Sequence, residues 1–373
     1  MTRPLSVVGD LIRSPAAHWT VLVPLLATVM LILSWGRDLP TPGVVIAAVF
    51  LAGAVLAAVH HAEVVAHRVG EPFGSLVLAV AVTIIEVALI VSLMLSGGPE
   101  TASLARDTVF AAVMITCNGI VGLALLVGAL RRRVAVFNAE GTGGALATVA
   151  TLATMSLVLP TFTTSTPGPA FSSAQLAFAA VASITLYGLF VVTQTIRHRD
   201  YFLPVTSEGA VIDVDEHAAP PSGRRTLASV GLLLVALVAV VGLAKVESPA
   251  IEAAVASAGL PQAVVGVVIA LLVLLPETIA ATRAARRDRI QTSLNLALGS
   301  AMASIGLTIP TIAVASIWLD GPLLLGLGAT HMVLLAITVV VTTLTVVPGR
   351  ATLLQGGVHL ALLACFLFLA VSP

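Results

Sequence analysis

Stretches of about 20 or more apolar residues recur along the whole chain, separated by short polar breaks, and each is long enough to cross a hydrocarbon layer as a helix. Inside lipid every backbone N–H and C=O must be answered by the chain itself, so only helices and closed barrels can span. Barrel strands alternate apolar and polar residues. These runs do not alternate, so the expectation is an all-α polytopic membrane protein. Composition agrees: of 373 residues 58% are hydrophobic and 10% charged, against roughly 25% charged in a water-soluble domain.

Eleven spans are expected, near 18–35, 43–66, 73–96, 108–130, 143–160, 172–196, 226–246, 261–282, 291–317, 322–347 and 351–371. An odd number puts the termini on opposite sides of the membrane. With a cytoplasmic N-terminus, all but Arg37, Arg106 and Lys245 of the 18 basic residues fall inside, which is the asymmetry the positive-inside rule asks for. Arg3, Arg13 and two prolines precede the first span without a cleavable apolar core, so that span reads as a retained helix. Cys117 and Cys365 both sit in apolar runs, which argues against a disulfide framework. The net charge is zero and no basic run offers a nucleic-acid surface. The expected surroundings are the bilayer of the inner (plasma) membrane, with inorganic cations and protons as partners; the oligomeric state is open.

The polar stretch 197–225, carrying Glu208, Asp213, Asp215, Glu216 and Pro220–Pro221, divides the spans into six and five. It reads as a solvated cytoplasmic linker, with a regulatory or ion-attracting loop as the alternative. Setting aside residues 1–35 as an N-terminal segment with one extra helix, each half has five spans, 43–196 and 226–373. Five is odd, so the second half enters from the opposite side. This is the arithmetic of two inverted five-helix repeats, common in secondary transporters.

The second span of each repeat carries a glutamate in mid-run: Glu86 in Val82-Thr-Ile-Ile-Glu86 and Glu277 in Leu274-Leu-Pro-Glu277. An ionised carboxylate in hydrocarbon costs several kcal/mol, so it faces the bundle interior, pairs, or takes a proton. No lysine or arginine lies at comparable depth in any span, which argues against a structural ion pair. Two such carboxylates can hold a hard cation through oxygen or hold protons, since desolvation and mutual repulsion favour the neutral form. Competition of cation and proton for the same oxygens is the coupling of an antiporter. Pro276 blocks a helical hydrogen bond and frees a carbonyl beside Glu277. Thr116, Cys117, Asn118 and Gly119 interrupt the fourth span; Asn295, Gly299, Ser300, Ser304 and Thr308 run along the ninth, with Ser300 and Ser304 four apart on one face. For Gly299 and Ser300 close helix packing is an equally good explanation. Glu86, Glu277, Thr83, Asn118, Ser300 and Ser304 are therefore the candidate cation- and proton-binding residues, with the two glutamates as direct ligands of the cation. His60, Glu63 and His67 share a face at the inner end of the second span, where a proton relay or gate and a polar helix end among headgroups are both open readings. His331 reads as a histidine satisfied within the bundle.

The segments His67-Arg-Val-Gly-Glu-Pro-Phe-Gly-Ser-Leu to Glu86, Leu275-Pro-Glu-Thr, and Leu294-Asn-Leu-Ala-Leu-Gly-Ser-Ala-Met-Ala-Ser-Ile-Gly-Leu-Thr-Ile-Pro310 resemble the bacterial ChaA-type calcium/sodium–proton antiporters, members of the calcium/cation antiporter superfamily close to the cation–proton exchangers. The resemblance runs over essentially the whole chain. It implies eleven helices, two inverted repeats, a cytoplasmic connecting loop and essential roles for Glu86 and Glu277. Asn118 matches the asparagine those exchangers carry after the first glutamate helix. Thr83 and Leu274 depart from the pattern, standing where the cation–proton exchangers place asparagine three residues before each glutamate.

The function expected is therefore secondary active exchange of cytoplasmic Ca²⁺, Na⁺ or K⁺ for H⁺ by alternating access, with no cofactor beyond the transported ions. A sodium-driven exchanger and a passive cation channel are the alternatives. An enzyme is not expected: there is no HExxH, no Ser/His pair in facing spans and no pair of intramembrane aspartates.

Overall fold

A computed structural model of the chain describes residues 15–37, 39–69, 73–96, 98–205, 221–318 and 322–373. Over these residues the structure is helical, with α1 (Pro15–Ser34), α2 (Thr41–Val69), α3 (Phe73–Ser96), α4 (Leu104–Met114), α5 (Val121–Arg132), α6 (Ala139–Ala153), α7 (Ser173–Val192), α8 (Gly223–Ser257), α9 (Ala263–Arg286), α10 (Ile290–Ala315), α11 (Ala329–Val346) and α12 (Leu353–Val371). A π-helical turn, Ile115–Ile120, joins α4 to α5 without a break, so the twelve segments make eleven spans. Nine of these are long and apolar enough to cross a membrane over described residues; α1 and α3 contribute the shorter apolar stretches Trp19–Ser34 and Val80–Met94.

Several boundaries differ from expectation. The seventh span was expected to end near residue 246, yet α8 continues through Pro249 to Ser257. Proline at this position removes one N–H, but its neighbours keep the helix going. The tenth span was expected from 322, yet α11 begins at Ala329. The apolar residues before it are extended instead: Leu324 bridges Ala170, and the Gly326 and Leu327 N–H groups donate to the Pro169 and Leu157 carbonyls. Hydropathy alone does not separate an apolar extended segment buried against protein from a helix turn buried in lipid. Glu208, Asp213, Asp215, Glu216 and Pro220 of the expected linker lie outside the described residues.

The chain forms two compact units: Met1–Ser96 with His217–Ile251, and Gly97–Glu216 with Glu252–Pro373. The first holds α1, α2, α3 and most of α8. Small residues set its close crossings, for an added Cβ on Gly242 would meet Leu31 and one on Gly53 would meet Val23.

The second unit is built around the α4–π–α5 span, 89% of whose apolar window is buried. One end is tied by a two-residue antiparallel ribbon pairing Ala135 with Ala351 and Val136 with Arg350. Next to it Ile120, Val121, Leu125, Phe137, Ile290 and Leu294 form a dry core. Asn138 caps α6 by accepting from the Glu140 and Gly141 N–H groups. Serine and threonine hydroxyls in the spans mostly return their proton to the carbonyl one turn back, as Thr116 does to Ala112 at 2.7 Å and Thr278 to Leu274 at 2.7 Å. A hydroxyl disposed of in this way costs little in hydrocarbon.

At the crossing of α5 and α12 the two backbones themselves come close. A Cβ on Gly356 would stand 2.7 Å from the Leu126 nitrogen, a backbone atom that cannot yield, and one on Gly122 would meet His359 Cβ at 3.0 Å. The adjacent Gly357 has nothing within 4 Å of such a Cβ. Gly356→Ala is therefore expected to destabilise the protein by about 1–3 kcal/mol through overpacking. Gly357→Ala should be neutral or stabilising by up to about 1 kcal/mol, because alanine is the better helix former. Thermal unfolding of the two purified variants in detergent measures the contrast; equal behaviour would contradict this crossing.

Candidate functional site

Glu86 lies on α3 in the first unit, 4% exposed, and Thr83 one turn before it is 5% exposed. Glu277 lies on α9 in the second unit at 8% exposure. Both glutamates are thus buried in helices, as their sequence surroundings imply. Pro276 sits inside α9 without ending it, so the N–H it lacks leaves the Leu272 carbonyl without its usual helical donor. On α10, packed against α9, Ser304 is buried at 3% and Thr308 fully, and the Thr308 hydroxyl has no hydrogen-bond partner among the described residues. Ser300 is half-buried.

Asn118 is fully buried within the π-turn, and its carboxamide is held at both ends. Its nitrogen end lies 2.9 Å from Thr338 Oγ1 on α11, and its oxygen end 3.2 Å from His359 Nδ1 on α12. His359 Nε2 in turn lies 3.2 Å from Thr345 Oγ1. Asn118 and His359 are both at 0% exposure. The sequence signals Asn118 but not its partners, which lie 220 and 241 residues away. His359 stands in the last span as a lone histidine, with no neighbouring polar residue to mark it.

Two further acids, Asp107 and Glu247, are buried along with Glu86 and Glu277, although from the sequence they fall at or outside span ends. Asp107 is 5% exposed; it takes a 2.7 Å contact from Arg106 Nε and a 2.9 Å hydrogen bond from Ser103 Oγ. Arg106 also reaches the Gly326 carbonyl at 3.3 Å. This is a neutralised pair at a helix start, which explains how an aspartate tolerates burial there. Glu247 is 2% exposed because α8 runs on past it, and its Oε1 has no hydrogen-bond partner among the described residues.

The expected relay residues differ in exposure. Glu63 and His67 are exposed and His60 is half-buried, with its ring 6.2 Å from Trp19 and 5.6 Å from His61. The buried member is His61, at 3% exposure, with Nε2 2.9 Å from the Thr20 carbonyl and Nδ1 3.3 Å from Ser229 Oγ. A carbonyl only accepts, so Nε2 carries the proton and Nδ1 accepts from the serine. His61 thus ties α2 to α1 and α8 as a satisfied neutral ring. His331 packs against Phe110, with ring centroids 4.8 Å apart.

A second polar group gathers at the α6 end of the second unit. Gln291 Oε1 accepts from the Asn138 N–H at 2.7 Å, and its amide nitrogen donates to Asn295 Oδ1 at 2.9 Å and Thr142 Oγ1 at 3.3 Å. Asn295 then donates to the Phe202 carbonyl at 2.7 Å. Asn295, one of the polar residues along the ninth expected span, thereby anchors the Arg199–Phe202 turn. Close by, the Glu140 carboxylate holds the Tyr201 phenol above its ordinary pKa. A cavity of about 10 Å³ touching Thr142, Thr342 and Thr345 separates this group from the His359 network. The Thr342 and Thr345 hydroxyls are turned back onto the Thr338 and Val341 carbonyls, so the gap offers water no polar partners.

Among the described residues no three His, Cys, Asp or Glu side chains cluster as a resident metal site. The chemistry available is that of buried carboxylates on helices that also carry hydroxyl and carbonyl oxygens. Such oxygens suit a cation that is held briefly and released, or a proton.

A multi-pass helical bundle with carboxylates buried in its third and eighth spans has the architecture of a membrane transporter of small cations. The family comparison agrees: the sodium/calcium exchanger protein model matches residues 39–196 and 228–372, and the chain belongs to that family. The Escherichia coli sodium-potassium/proton antiporter ChaA is 33% identical over 97% of this chain and 99% of its own length. The Sinorhizobium fredii protein y4hA, provisionally described as an ionic transporter, is 48% identical over 95% of this chain and 96% of its own. In fold the chain is similar to YfkE, with a TM-score of 0.69 at 15% identity over 95% of this chain and 99% of that one, and to the H⁺/Ca²⁺ exchanger CAX, with a TM-score of 0.65 at 15% identity over 98% and 89%. The protein is accordingly a membrane exchanger of inorganic cations.

Asn295→Ala should free the Phe202 carbonyl and loosen the turn it anchors. One buried hydrogen bond is worth about 1 kcal/mol, so amide hydrogen exchange over residues 199–205 is expected to speed up about fivefold, with α10 unchanged. Unaltered exchange there would show that the contact does not hold the turn.

Proposed function

We propose that this protein expels Ca²⁺, Na⁺ or K⁺ from the cytoplasm in exchange for H⁺, with Glu86 and Glu277 as the carboxylates over which cation and proton compete. The observation that carries the reading is their burial. One carboxylate falls in each of the two segments matched by the exchanger family, and each is buried in a helix at 4% and 8% exposure. The two matched segments also support reading the chain as two repeats, 43–196 and 226–373, of inverted topology. The arginine distribution supports an N-terminus on the cytoplasmic side of the inner membrane.

In this mechanism a cation entering from the cytoplasm binds the deprotonated pair and replaces part of its water shell with carboxylate oxygens. The hydroxyls of Thr83, Ser300, Ser304 and Thr308 and the Leu272 carbonyl freed by Pro276 are the candidate supplementary oxygens. A hard cation such as Ca²⁺ prefers six to eight oxygens, so protein and retained water share its shell. After reorientation, protons from the acidic side neutralise the carboxylates and displace the cation. The neutral acids are cheap to bury and return through the apolar interior. A site that is costly when empty and charged, but inexpensive when filled by either ion, suppresses uncoupled return. That asymmetry makes exchange obligatory. Asn118, engaged by Thr338 and His359, is a further candidate for the cation and proton site, and His60, Glu63 and His67 are the candidate proton relay or gate.

The ChaA relative is named for sodium, potassium and protons, and the CAX structure for protons and Ca²⁺; all three cations are therefore tested together. In inside-out vesicles with an acid lumen, added cation should drive proton release from the lumen. Glu86→Gln and Glu277→Gln should each lower that release at least about 100-fold, since either change removes a charge the cation requires. Cation flux that persists in both variants without proton counterflow would sink the proposal. Flux that follows an imposed sodium gradient and ignores the pH gradient would favour sodium-driven exchange instead.

A further inference from the structure

The Thr338–Asn118–His359–Thr345 chain has one property that its distances alone do not state: the direction in which its protons point. A neutral imidazole has one donating and one accepting nitrogen. The Asn118 oxygen faces His359 Nδ1 at 3.2 Å and its nitrogen faces Thr338 Oγ1 at 2.9 Å. Nδ1–H therefore donates to the carboxamide oxygen, the Asn118 N–H donates to Thr338, and the Thr338 hydroxyl donates on to Met114 Sδ at 3.6 Å. Nε2 is then the accepting nitrogen, and the Thr345 hydroxyl at 3.2 Å is the donor it faces, its proton shared between the ring and the Val341 carbonyl. The chain is satisfied by a neutral ring and adds no charge.

We propose that His359 is a positioning residue for cation exchange: as a neutral ring it fixes the orientation of the Asn118 carboxamide, and with it the π-turn that carries Asn118. The assignment rests on the exchange function proposed above. Its physical basis is the number of anchors. Asn118 sits where the helix carries an extra residue in its turn, a geometry less stable than the α-helix and kept only when its surroundings hold it. The surroundings here are two hydrogen bonds to two other helices and the close α5–α12 approach at Gly122 and Gly356. Removing the histidine end leaves a buried amide group unanswered and frees the carboxamide to rotate. His359 itself acts only through Asn118 and carries no transported proton.

Glutamine separates this role from proton carriage. Its amide oxygen accepts and its nitrogen donates at about the spacing of the two ring nitrogens, yet it does not titrate in this range. In the vesicle assay His359→Leu is expected to raise the apparent cation KM on the order of tenfold, the effect of stranding a buried hydrogen-bonding group, with the maximal rate within about twofold of wild type. His359→Gln should restore KM to within about twofold and leave the pH profile unmoved. Thr338→Val should raise KM like His359→Leu, and the double variant should add little to either single change, because both act on one carboxamide. If His359→Leu fails to reach the membrane, Thr338→Val and His359→Gln carry the test. A wild-type KM in Thr338→Val or His359→Leu overturns the assignment. So does a His359→Gln variant as impaired as Leu, or one with a displaced pH profile, since either outcome would make the ring a proton carrier. Wild-type vesicles without exchange would sink the exchange reading and this assignment together; wild-type exchange beside an unaffected Leu variant sinks this assignment alone.

Discussion

Polar groups in this protein have to be answered by the protein, because the solvent around its spans answers nothing. That constraint organises the structure more than any single contact. Hydroxyls are folded back onto the carbonyl one turn away. Asp107 is buried only together with Arg106 and Ser103. His61 spends both nitrogens on neighbouring helices, and Asn118, His359, Thr338 and Thr345 share one run of protons across three helices.

How much of this was legible in the sequence depends on the range of the signal. Hydropathy is local, so the spans and the two carboxylates within them could be read directly. The same local signal failed where burial against protein imitates burial in lipid, as in the extended stretch before α11. It also failed at Pro249, where neighbouring residues sustain a helix that the proline would be expected to close. Glu247 was misplaced for the same reason, since a longer α8 draws it inside.

Partnerships were harder still. Asn118 could be singled out because an amide in mid-span needs an answer, but nothing local says that the answer comes from Thr338 and His359. Asn295 is a similar case. It was legible as a polar residue along the ninth span, but its partner, the Phe202 carbonyl, lies 93 residues away. The departures at Thr83 and Leu274 from the pattern of related exchangers were legible as residues. Their meaning for ion choice depends on the oxygens assembled around them.

The π-turn at Ile115–Ile120 has a consequence for how this chain can change over time. A turn of that kind contains one residue more than the α-helix would need, and in an α-helix each residue advances the face by about 100° at 1.5 Å. The wider turn takes up that extra residue, so α4 and α5 stay in phase across it. Deleting one residue from 115–120 would let the helix close into regular geometry and leave α5 on its present face, with Gly122 still seated against α12. What would be lost is local: Asn118 would be drawn into an ordinary helical turn, away from Thr338 and His359. The extra residue between Met114 and Val121 thus serves the placement of one amide and not the packing of the helix that follows it.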